Sequence, residues 1–64
     1  MLSPQVGDIL EELRTNCLFM VKKITRDFVI LHALEGSIQI LTGRRSLDSF
    51  FTRVPLHEFQ PLAI

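Results

Sequence analysis

One cysteine, two histidines, seven carboxylates and seven cations are the side chains of this 64-residue chain that could carry chemistry. Cys17 could act as a nucleophile, but a thiol needs a base or cation to make it a thiolate. No local signature surrounds it, so a lone cysteine opening the strand-like run Cys17 to Ile24 reads as a small hydrophobe. His32 sits among apolar neighbours and, in the hairpin pairing derived below, opposite Gln39. That suits a structural histidine with one polar partner better than a base or ligand. His57 and Glu58 are adjacent between Pro55 and Pro61, where neighbours in sequence rarely converge on one substrate, and they read as a solvated tail. No second carboxylate is placed to work with Asp8, and there is no glycine-rich phosphate loop and no Cys/His metal spacing. The expectation is a protein with no catalytic activity, no metal, no cofactor and no small-molecule substrate.

Charge is the next candidate. Basic and acidic residues balance at seven each, so no net field steers the chain toward nucleic acid or anionic lipid. The distribution is uneven, because all seven cations lie between residues 14 and 53 with only Asp27, Glu35 and Asp48 among them. Lys22, Lys23, Arg26, Arg44 and Arg45 could there form one patch for phosphates. Against this, no stacking aromatics are evident on a polar strand. Nucleic-acid binding is therefore the alternative expectation rather than the first.

These residues have to be held by β-structure. Phe28 to Thr42 is the longest apolar, β-branched run, interrupted by Glu35-Gly36. Two strand-like runs around a two-residue turn with Gly second predict a tight hairpin, since that turn needs a positive φ. Leu34 then faces Ser37, Ala33 faces Ile38, His32 faces Gln39, Leu31 faces Ile40, Ile30 faces Leu41 and Val29 faces Thr42. Side chains alternate between faces along a strand. Val29, Leu31, Ala33, Ile38, Ile40 and Thr42 make one apolar face, the expected core. Phe28, Ile30, His32, Leu34, Ser37, Gln39 and Leu41 make a second face, apolar but broken by polar groups. With nothing left to cover it, this face is expected to bind protein through Phe28, Ile30, His32, Gln39 and Leu41, either a partner or a second copy.

On either side the signals are shorter. Met1 to Val6 reads as a lead-in, and Gly7-Asp8 opens a strand over Ile9 to Leu13, with Ile9 expected inward beside Phe19 and Val21. Arg14-Thr15-Asn16 suits a turn, since Asn tolerates the left-handed region. In the second strand the pair Lys22-Lys23 breaks alternation, which predicts a bulge or an edge position there. Thr25-Arg26-Asp27 turns the chain into the hairpin. After Gly43, Ser46 stands where an N-cap belongs, with Asp48 complementing the helix dipole. Leu47, Phe50 and Phe51 fall on one side of a short helical turn, a plug for the core that stops near Arg53, and Val54 before Pro55 could begin a last short strand. Residues 56–64 read as a tail, with Phe59 as a possible anchor, leaving one domain over residues 1–55.

A chain this short buries only about 60% of the surface its unfolded form exposes, and small domains commonly need staples. A single cysteine rules out an internal disulfide and suits a reducing compartment, so the cytoplasm is expected. No apolar run approaches the ~18 residues of a membrane span, and Met1-Leu2-Ser3-Pro4 lacks the start of a signal peptide. Association, as a homodimer or with a partner, is the staple left.

Four strands, a short helical turn and a final strand within residues 6 to 55 resemble the small Src-homology-3-like barrels, the KOW and Tudor modules among them. Val6-Gly7-Asp8-Ile9-Leu10 is similar to the Gly-Asp opening of many such barrels, and Leu47 to Val54 lies where they place a helical turn before the closing strand. The resemblance implies an all-β fold, a small curved antiparallel barrel of four to five strands. It implies no binding residues, because the proline-peptide and methyl-ligand readers of that fold depend on Trp and Tyr, and this chain has neither.

Overall fold

The computed structural model describes residues 3–55, so the expectations for His57, Glu58, Phe59 and the rest of 56–64 lie outside the described residues. Five strands form one curled antiparallel sheet: β1 (Ile9–Glu12), β2 (Leu18–Ile24), β3 (Phe28–Ala33), β4 (Gln39–Gly43) and β5 (Phe51–Val54). Their order across the sheet is β4-β3-β2-β1-β5. The first four strands thus meander, and β5 returns to pair with β1. Between β4 and β5, a 3₁₀ turn at Arg44–Ser46 runs into the one-turn helix α1 (Leu47–Phe50). The expected all-β class is what the chain adopts.

The central hairpin has the predicted register, with Val29 opposite Thr42, Ile30 opposite Leu41, Leu31 opposite Ile40 and His32 opposite Gln39. Gly36 takes a φ of 84°, the conformation that called for glycine. The turn is wider than two residues. The ladder closes where the Ala33 N–H donates to the Ile38 carbonyl (2.9 Å), and the Leu34 N–H turns instead to the Leu18 carbonyl of β2 (3.0 Å). Leu34 therefore does not pair with Ser37, since its donor is used by the neighbouring strand.

Both lysines of β2 face outward because of a bulge. Pairing shifts between Val21, opposite Leu31, and Lys23, opposite Ile30, which leaves Lys22 as the extra residue. Ile24 thereby returns to the inner face and packs against the core. Asn16 supplies the other turn with a φ of 62°, and its N–H donates to the Glu12 carbonyl (2.8 Å).

The core joins Leu10, Phe19, Val21, Val29, Leu31, Leu47 and Phe51, with Ile24, Ala33 and Ile40 at its margin. Phe19 and Phe51 meet edge to face, centroids 5.8 Å apart, a favoured aromatic geometry. Four expectations need correcting here. Leu10, not Ile9, is the inward residue of β1, because Leu10 stands opposite Phe19 while Ile9 stands opposite Met20 on the other face. Ile38 sits at the closing bond of the ladder, just before β4, and its side chain is exposed. Ser46 does not cap α1, for its backbone is already helical and its side chain makes no capping bond, the 3₁₀ turn having brought in the chain. The helix also ends at Phe50 rather than near Arg53; Phe51 starts β5 and points inward, which leaves Phe50 exposed.

Candidate functional site

The hairpin's second face turns away from the core. Phe28 is 46% exposed and Leu41 62%, with Ile30 half-buried between them. Phe28 owes its exposure to the ladder, since its cross-strand neighbour is Gly43, which has no side chain to lie against the ring. His32 is half-buried and Gln39 exposed, directly across from each other. Among the described residues no hydrogen bond joins them, so the structural pairing expected for His32 is not made.

Register brings further residues to this face that sequence spacing did not single out. Met20 lies opposite His32, and Ile9 opposite both Met20 and Val54. A row Gln39, His32, Met20, Ile9, Val54 thus crosses the whole sheet. Ile9 is buried yet belongs to no part of the core cluster. Alternation alone showed that Ile9 and Leu10 face opposite ways. It could not show which of them the helical plug would cover.

The five cations of the candidate patch do not form one surface. Arg26, Arg44 and Arg45 line a concavity of about 450 Å³ with Asp27 and Gly43. The Arg44 N–H donates to the Asp27 carbonyl (2.9 Å) and ties the two loops together. Lys22 lies elsewhere, in a smaller depression with Met20, His32, Ala33 and Leu34, and Lys23 stands beside Ile30. The lysines therefore flank the apolar face and the arginines occupy its corner.

Cys17 precedes β2 and is exposed, which corrects its reading as a packed hydrophobe. It opens onto a concavity of about 580 Å³ whose lining contains Glu35 but no histidine or cation to generate a thiolate. Asp8 is bound to Arg53 (3.0 Å) and accepts the Gln5 N–H (2.9 Å), while Arg53 also donates to the Ser3 carbonyl (2.7 Å). These contacts pin the lead-in to β5. Among the described residues no cluster of three metal-ligating side chains occurs, and no helix is long and apolar enough to cross a membrane.

A further concavity, of about 290 Å³, lies beside the β4 edge between Ile40, Leu41 and Thr42 on one side and Leu13 and Phe50 on the other. Leu13 and Phe50 are both more than half exposed. Compared with known protein families, curated proteins and solved structures, the chain matches none.

Proposed function

We propose that the chain is a small non-catalytic protein-interaction module, a Src-homology-3-like barrel that self-associates or docks a protein partner through the outer face of β3 and β4. Phe28, Ile30, His32, Gln39 and Leu41 are its contact residues. The observation that carries this is the exposure of Phe28 and Leu41 on either side of Ile30, on the face opposite the core. Burying such side chains fully is worth about 1.5–3 kcal/mol each, a large share of the stability available to so small a domain. The barrel reading is supported by the strand order, a four-strand meander whose fifth strand returns to the first through a single helical turn. A free, exposed Cys17 fits a reducing compartment such as the cytoplasm.

Substitution with charge tests the face. Ile30→Asp and Leu41→Asp are expected to give a smaller species in sedimentation, or to lose the partner, while the far-ultraviolet spectrum stays that of a β-protein. Unfolding of both variants as monomers would make these residues core and end the proposal.

A second reading has one observation in its favour, the convergence of Arg26, Arg44 and Arg45 beside exposed Phe28. In that reading the corner binds single-stranded nucleic acid, the ring stacking on a base and the guanidinium groups holding phosphates. It requires oligonucleotide binding that weakens steeply between about 50 and 200 mM salt and is lost in Arg44→Glu/Arg45→Glu. Association through the apolar face would be nearly indifferent to that change in salt.

A further inference from the structure

We infer that the occupant of this region is a second copy of the chain, joined by antiparallel pairing of β4 with β4 about a two-fold axis at Leu41. The inference rests on the interaction reading above and names its partner and geometry. Among the described residues β4 is an outer strand of the sheet and is bonded only to β3. The Ala33 N–H donates to the Ile38 carbonyl and the Arg44 N–H to the Asp27 carbonyl, which fixes the alternation of the ladder. Ile40 and Thr42, with the Ile38 carbonyl and the Arg44 N–H, therefore face β3, and Gln39, Leu41 and the Gly43 N–H face away from the sheet, the Gly43 carbonyl heading the 3₁₀ turn.

Open edges normally carry a device against pairing, such as a proline, a charged side chain or a bulge. Gln39-Ile40-Leu41-Thr42-Gly43 has none of these. The opposite edge differs, because β5 carries Arg53, whose side chain is held by Asp8 and the Ser3 carbonyl, and the Phe51 N–H already donates to the Leu47 carbonyl. Among the described residues the unguarded edge is β4, so two copies meet with the same strand.

Register follows from the outward groups. Antiparallel pairing with Leu41 opposite Leu41 of the second copy sets Gln39 opposite Gly43 and gives the outward N–H of all three residues an acceptor; a slip by two residues leaves some of them unmatched. Leu41, more than half exposed in the single chain, is then covered by its own copy, and the outer faces with Phe28 and Ile30 become continuous across the axis. Charge agrees with this register. Arg44 and Arg45 follow one end of β4 and Glu35 precedes the other, so antiparallel pairing brings the basic end of each strand to the acidic turn of the second copy.

The test uses the full chain from about 10 µM to 1 mM, a span that brackets a weak dimer, with sedimentation and amide exchange measured together. A dimer is expected in which the Gln39, Leu41 and Gly43 amides exchange about tenfold or more slowly at high concentration, while Ile40 and Thr42 are protected throughout. Leu41→Lys should remain folded and monomeric. Glu35→Arg should weaken the dimer roughly fivefold, and adding Arg45→Glu should restore it. A dimer whose three outward amides exchange freely, and which Ile30→Asp dissociates, would overturn edge pairing while leaving the face reading in place. A chain monomeric to about 1 mM, or a Glu35→Arg defect that Arg45→Glu fails to repair, would also overturn it.

Discussion

Leu31→Ala is expected to leave most of the protein unfolded at 25 °C. Leu31 is fully buried at the middle of the sheet, with Val21 on one side and Ile40 on the other. Truncating a buried leucine costs about 2–5 kcal/mol, because the transfer energy of the lost atoms is joined by that of the cavity they leave. A single core in a domain below ~70 residues rarely supplies more than about 3–5 kcal/mol in total. The cost is therefore comparable to the whole stability. Urea titration followed by circular dichroism would show no folded baseline, or a midpoint near zero denaturant. Leu13→Ala is the control, the same substitution at an exposed position just after β1, and should shift stability by no more than about 0.5 kcal/mol. A Leu31→Ala variant as stable as that control would mean the inner face of β3 is not the core.

The neighbours Phe50 and Phe51 should respond very differently to the same change. Phe51 is buried, packs edge to face on Phe19 and starts the strand that closes onto β1, so Phe51→Ala is expected to cost about 3–5 kcal/mol. Phe50 is 53% exposed beside the β4 edge, and Phe50→Ala should cost less than about 1 kcal/mol. Thermal melts of the two variants decide the matter. Equal losses would mean that α1 continues past Phe50 and presents both rings to the core, which is what helical spacing by itself predicts.

That pair of residues shows where local pattern stops being informative. Leu47, Phe50 and Phe51 share a side of an ideal helix, but the chain leaves the helix after Phe50 because β1 offers it a strand to pair with. A four-residue helix has too few hydrogen bonds of its own to resist that competition. Ser46 fails as a cap for a similar reason. Its side chain would have marked the start of an isolated helix, whereas the Arg44–Ser46 turn already brings the chain in helically from β4.

The sequence by itself determined the hairpin, its register, the positive φ at Gly36 and Asn16 and a break in alternation at Lys22, because each rests on residues near in sequence whose backbone preferences are steep. It also determined the two faces of β3 and β4, since a period of two admits no other division once the turn is placed. Which face of β1 would be covered was decided only by tertiary structure. Ile9 and Leu10 are equally apolar and both buried, and Leu10 joined the core because its face of β1 is the one that Phe19, Leu47 and Phe51 occupy. The cations were sorted in the same way. Arg26 joins Arg44 and Arg45 through a backbone bond between two distant loops, and the bulge turns the lysines toward the apolar face. Contacts between elements far apart in sequence depend on how strongly the sheet curls and where its edges fall, and no short stretch of residues carries that information.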